Sequence, residues 1–197
     1  MAQDWCGSLF SNSTIPGALP MSTTRDQTGR SPDILISFQW SDEVNSQGIQ
    51  GTAAFAKGDV PVGAGSHGSI SLYDVRNLLV AAGPSFKSGV CDQTPSGIMD
   101  LTPTILHILG LTTHGVLDGR VLSEALAGGP DPEDVPCEAY STHASRTVEG
   151  QTFEQELRIS RVNSAEYLDW GSTRRIKQRK SPSTLGSCAR REKSEVT

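Results

Sequence analysis

Residues 65–71 read GSHGSIS, which sets one imidazole, His67, among two glycines and three serines. Small neighbours leave room for a bulky group to approach the ring, and glycine lets the backbone turn sharply. A neutral imidazole on such a loop is a common metal ligand; the alternative is an exposed loop histidine. Asp74 and Asn77 follow in the same segment. They are candidates either for orienting a ligand histidine or for capping the loop, with capping the expected role. Three other histidines have weaker settings. His107 lies in an apolar helical stretch and is expected to be packed, while His114 and His143 are expected in loops without acidic residues at ligand spacing. Asp42 and Glu43, in FQWSDEVN, do not fall in a ligand motif. Cys6, Cys91, Cys137 and Cys188 are scattered, with no CxxC pair. That pattern argues against a zinc finger or a thioredoxin-like motif. Buried free thiols are expected, with a disulfide as the lesser alternative.

The elements that must position these residues are legible in part. Residues 11–32 are rich in Ser, Thr, Pro and Gly and read as an irregular loop. DILISFQW (33–40) is a short apolar run, read as a buried strand, and NLLVAAG (77–83) is a second strand candidate, ended by Gly83 and Pro84. The polar, glycine-rich residues 41–69 between them read as a long loop, and long loops tend to carry function. DLTPTILHILG (100–110) is the clearest helix: Asp100 can cap it, Pro103 is tolerated near its start, and Gly110 stops it. Leu101, Ile105, Ile108 and Leu109 share one face. LDGRVLSEAL (117–126) predicts a turn and a short helix, and residues 127–137 break the pattern. QELRISRV (155–162) alternates, Asn163 and Ser164 can turn, and AEYLDWG can return as the partner strand.

The chain has 197 residues, 36% hydrophobic and 20% charged, with a net charge of −5. That suits one compact domain or part of a larger one. From residue 172 onward there are eight Lys/Arg and two Glu, which leaves nine basic and twenty acidic residues in 1–171. The body therefore carries −11 and the tail +6. Residues 172–197 are expected to be a disordered basic tail. An acidic body repels phosphates, so nucleic acid is not an expected partner. No stretch has the roughly 18–20 apolar residues of a membrane span. MAQDWCGSLF lacks a basic n-region and a long apolar h-region, so no signal peptide is expected and no compartment is indicated.

Four blocks taken together carry a resemblance. GSHGSISLYDVRNLLVAAGPSFKSGV, then PSGIMDLTPTILHILGL and LDGRVLSEAL, resemble the C-terminal part of the alkaline phosphatase superfamily. The nearest likeness is to its type I phosphodiesterase/nucleotide pyrophosphatase and sulfatase-like members. In that family a G-[ST]-H-G loop precedes a strand ending in a GP.F..G turn, followed by a D..PT.L.LLG helix and a DGR.L loop. The resemblance spans about residues 30–126, with 1–29 and 127–171 as looser peripheral segments. It implies an α/β fold: the C-terminal part of an alkaline-phosphatase-like α/β sandwich, with a mostly parallel but incomplete sheet and long irregular loops. It implies that residues 1–171 form a partial hydrolase domain. It also implies that His67 is one ligand of a two-metal site, usually zinc, acting on phosphodiester, nucleotide pyrophosphate or sulfate esters. Arg120 of the DGR step would fix its loop beside the helix. Relatives are often periplasmic or secreted.

The chain also departs from the family. It has no DHG step, no C-x-P-S-R context around any cysteine, and no Ser or Thr in a convincing nucleophile elbow. One imidazole does not hold a catalytic zinc, which takes three protein ligands. The expectation is therefore a metal-dependent ester hydrolase represented by its C-terminal part, without the catalytic N-terminal part and inactive alone. The alternative is a non-catalytic binding or structural remnant of that fold. A nucleic-acid binder acting through the basic tail ranks last.

Overall fold

The computed structural model describes residues 3–21, 32–54 and 67–177. Its frame is a three-stranded antiparallel sheet, β6 (Cys137–Val148), β7 (Gln151–Val162) and β8 (Ala165–Lys177), with β7 in the middle. Two-residue loops join the strands. Glu149 and Gly150 take positive φ values of 51° and 74°, and Asn163 takes 55°, the left-handed backbone that matches the twist of a tight hairpin. The alternation in 155–162 thus forms the middle strand, and Asn163-Ser164 makes the expected turn.

This sheet buries different faces at its two ends. Phe153, Gln155, Leu157 and Ile159 alternate inward along β7, while Ser160 and Val162 are buried on the opposite face. A bulge in β8 accompanies the change: Arg158 pairs with Trp170 but Ile159 with Leu168, which leaves Asp169 extra. Asp169 accepts a 2.7 Å hydrogen bond from the Ser160 hydroxyl. The first face carries the larger core, Phe10, Leu19, Met21, Leu157 and Ile159, with Ile70 and Leu168 packed on it. The second carries Val162, Ala165 and Tyr167 with Met99 and Val135.

The first core is closed by β1 (Cys6–Ser11), β2 (Leu19–Pro20) and β3 (Ile34–Phe38), in the order β2-β1-β3. β1 is irregular between Cys6 and Leu9, and side chains bond its main chain there: Ser8 N donates to the Ser37 hydroxyl and Leu9 N to Gln155 Oε1 at 2.6 Å. The buried Gln155 Nε2 donates to the Gly17 carbonyl, ahead of β2. A buried amide bonded at both ends is stable where an unbonded one would cost a few kcal/mol. β4 (Trp40–Val44) and β5 (Gln50–Ala53) form a hairpin closed by Asn45, whose Oδ1 accepts from Gln47 N and Ile49 N. It lies within the stretch read as a loop.

The second core is covered by Met99, in the turn that leads into α2 (Leu101–Ile108), and by Val135. The Gly110 N–H reaches the His107 carbonyl and the Leu111 N–H the Leu106 carbonyl, with Gly110 at φ +65°. This 5→2 and 6→1 pair is a Schellman stop, as the glycine predicts. LDGRVLSEAL gives a bend and a single 3-10 turn at Ser123–Ala125.

Among the described residues, parallel pairing occurs between β1 and β2 and at the Phe38–Ser69 bridge; the remaining strand pairs are antiparallel. The chain is thus α/β in the coarse sense expected, a strand-rich mixture of sheets and short helices. Four expectations about single segments are corrected. NLLVAAG is not in a strand, and Leu78 and Val80 are 89% and 77% exposed, because none of the described strands pairs with it. Ile105 and Leu109 of α2 are exposed, and its buried residues are Pro103 and Thr104. β3 leaves Ile34, Leu35 and Ile36 at 42–49% exposure because, among the described strands, only β1 flanks it. The segment expected to begin a disordered tail at 172 is strand through Lys177, paired with β7 from Glu156 to Gln151. The rest of that tail lies outside the described residues. No described helix is long and apolar enough to cross a membrane.

Candidate functional site

The loop that carries His67 is held by its own side chains. Phe38 N donates to the Gly68 carbonyl at 3.0 Å, and Ser69 bridges to Phe38. Gly68 has φ +116°, and a Cβ there would press on the Phe38 ring, so the family-like G after the histidine has a steric reason. Asp74 accepts from both the Ser69 N–H at 3.0 Å and the Ser69 hydroxyl at 2.5 Å. The Ser71 hydroxyl in turn accepts from Asp74 N at 3.1 Å, which caps the single-turn α1 (Leu72–Val75). The Asp74 carboxylate thus holds the loop through Ser69, while Ser71 is the residue that caps the helix. The Asn77 amide donates to the Val75 carbonyl, a local contact of the same kind. Behind the loop, Gly171 N donates to the Ile70 carbonyl at 2.7 Å and Ile70 packs into the first core. The imidazole of His67 is exposed, two residues from this anchored cluster.

The other sequence candidates do not converge on it. His107 is exposed on α2 rather than packed, as are Ile105 and Leu109 of the same helix. His143 lies within β6, not in a loop, and is exposed; His114 is in a loop, as expected. Asp42 accepts from the Tyr73 hydroxyl at 3.0 Å, joining the β4–β5 hairpin to α1, with Trp40 edge-on to Tyr73. Among the described residues no three of His, Cys, Asp and Glu come together as a metal site. His67 contributes one ligand, where a catalytic zinc takes three from protein. Cys6 is buried as expected, but Cys91 and Cys137 are exposed free thiols, and Cys188 lies outside the described residues.

A second constellation was only partly legible. Asp100 and Glu124 are fully buried, and Arg120 and Tyr167 nearly so. Arg120 grips Glu124 with two nitrogens, Nη1 at 2.8 Å and Nη2 at 2.6 Å. It also donates to the Tyr167 hydroxyl at 3.0 Å and to the Pro95 carbonyl at 3.0 Å. Tyr167 donates to Asp100 at 3.1 Å, and Asp100 further accepts from Arg120 N and Gly97 N at 2.8 Å each. Asp100 thus receives three donors from three segments, instead of capping α2 with its side chain. Burial pushes the Glu124 carboxyl up, but the guanidinium bonds outweigh it and hold the group below its ordinary value. Burial beside the Asp100 carboxylate pushes the Tyr167 phenol well up, so it stays protonated and serves as a donor. Every charge is bonded, so the cluster is a positioning device: it ties the DGR loop and the start of α2 to β8. The sequence signals were the Arg120–Glu124 spacing of four and an Asp just ahead of a helix. Tyr167 carried none.

Comparison with known proteins gave no matching family model, no matching curated protein and no matching solved structure.

Proposed function

We propose that this chain supplies the C-terminal share of a metal-dependent hydrolase of phosphoric or sulfuric esters, within an alkaline-phosphatase-like α/β sandwich, and is inactive alone. What supports this reading is that the four blocks carrying the resemblance are assembled around one strand. The GSHG loop is bonded to Gly171 of β8. The start of the D..PT helix and the DGR loop are both bonded to Tyr167 of β8. The GPSF turn is held to the end of the DGR segment by the Phe86–Leu126 bridge, with Lys87 N donating to the Ala125 carbonyl at 2.9 Å. Phosphodiesters are the preferred substrate class, on motif texture.

In such an enzyme the metal pair supplies Lewis-acid stabilisation of the ester's developing charge and an activated nucleophile. This chain's part is to present the His67 imidazole, on a loop whose backbone Asp74 and Ser69 keep in place. The nucleophile and remaining ligands belong to residues that this chain does not provide. A second reading, a non-catalytic binding or structural remnant, is favoured by one observation: Asp74, the carboxylate nearest in sequence, is spent on Ser69.

Zinc titration followed by NMR of the four histidine rings separates the two. The hydrolase reading expects the His67 ring to respond at roughly tenfold lower zinc than His107, His114 and His143, since a placed ligand binds ahead of isolated surface imidazoles. It also expects His67→Ala to abolish that response with the fold intact. If all four rings titrate together, the remnant reading replaces it.

A further inference from the structure

β6 ends the strand order β6-β7-β8, and among the described residues its main chain bonds only to β7. Alternate N–H and C=O groups along β6 therefore face outward without a strand to meet them. Free edges are ordinarily blunted by Pro, Lys, a bulge or a cover. CEAYSTHASRTV has neither Pro nor Lys, and its register with β7 runs from Cys137 to Val148 without a shift. The opposite margin of the sheet is protected. β8 carries the bulge at Asp169, its Gly171 N–H bonds to Ile70, and its Gly171 carbonyl accepts from the Trp40 indole. The acid and the base of β6, Glu138 and Arg146, are both exposed, and among the described residues neither side chain has a partner.

Opposed residues of an antiparallel pair point to the same face, and successive residues of a strand to opposite faces. Two copies of β6 related by a two-fold axis normal to the sheet must therefore set one residue opposite itself. The registers that use nearly the whole strand are those centred on its two middle residues, Thr142 and His143. Centring on Thr142 pairs residues 137–147 throughout and sets Glu138 opposite Arg146 of the other copy, once at each end. It also sets Tyr140 opposite Ala144, Ser141 opposite His143, and the Thr142 hydroxyl opposite its own copy, a pairing that lets the hydroxyls bond. Centring on His143 sets imidazole against imidazole and Glu138 against Val148, with no ion pair.

We propose that β6 pairs antiparallel with β6 of a second copy of this chain, about a two-fold axis at Thr142, so that the two three-stranded sheets run on as one. Sedimentation velocity of the full chain over a range of concentrations should show a monomer–dimer equilibrium that stops at the dimer, because a closed two-fold pairing uses each β6 edge once. Arg146→Glu and Glu138→Arg each set like charges opposite one another at both ends. Each variant alone should dimerise roughly tenfold more weakly than the native chain. An equimolar mixture of the two variants puts opposite charges back at both ends and should dimerise like the native chain, which requires both variants to be folded. Hydrogen exchange at low and high protein concentration should show slowing confined to amides of β6. A native chain that stays monomeric into the sub-millimolar range, an assembly that grows past the dimer, or slowed exchange elsewhere with β6 unchanged would overturn the proposal. So would single variants that dimerise as the native chain does, or a mixture no more dimeric than its components.

Discussion

Glu124 has both carboxylate oxygens bonded to a single guanidinium, at 2.6 and 2.8 Å, with its side chain wholly out of solvent. Removing one partner of such a pair leaves a charge with neither water nor a counter-charge. Arg120→Ala is therefore expected to cost about 3–5 kcal/mol in urea unfolding. The paired replacement Arg120→Met with Glu124→Leu should recover much of that loss, because an apolar pair leaves no charge stranded. The pH dependence has a definite sign. Glu124 lies below its ordinary 4.5 in the folded chain, so the unfolded chain takes up the proton first as pH falls. The stabilisation is fully present above about 4.5 and is lost as pH drops towards the lowered folded value. Urea midpoints measured at neutral and acid pH should show this loss in the native chain and a smaller one in Glu124→Gln.

Two glycines flanking α2 and the DGR loop have different physical reasons, and substitution separates them. At Gly119, in the DGR step, a Cβ would overlap the Met99 carbonyl oxygen and sit 2.8 Å from Asp100 N. Only backbone movement relieves that contact, and it would pull Arg120 N away from Asp100. Gly119→Ala is expected to cost about 1–3 kcal/mol as overpacking. At Gly110 a Cβ meets nothing within 4 Å, but φ is +65°, so Gly110→Ala carries only the left-handed penalty of about 1–2 kcal/mol. Chemical denaturation gives both values. Combined with Tyr167→Phe, Gly119→Ala should be non-additive, since both act on the bonds to Asp100, whereas Gly110→Ala should add.

Across the molecule, apolar character and burial part company. Leu19, at 1% exposure, belongs to the core that joins β1, β2 and the long sheet, while Leu78, at 89%, touches no core. Leu19→Ala is expected to cost about 2–5 kcal/mol, and Leu78→Asp to stay within about 0.5 kcal/mol, both by urea unfolding. Leu78→Asp should also reduce self-association in light scattering, because a run of exposed apolar residues is a sticking point for other chains. An effect of Leu78→Asp on unfolding as large as that of Leu19→Ala would mean that the 77–82 segment is packed in solution.

The sequence by itself determined those features whose cause is local. These are α2 with its glycine stop, the alternating strand 155–162 with its Asn163 turn, and the small-residue loop that exposes His67. In each case neighbouring residues supply both the preference and the partner. Tertiary structure decided the rest. β6 pairs over twelve residues with β7, yet CEAYSTHASRTV is a polar edge strand with little apolar signal. NLLVAAG has the composition of a buried strand, but a strand exists only where another pairs with it, and composition does not state that. Asp100, Arg120, Glu124 and Tyr167 span 67 positions and meet because the bulge at Asp169 turns that end of the sheet to a second core.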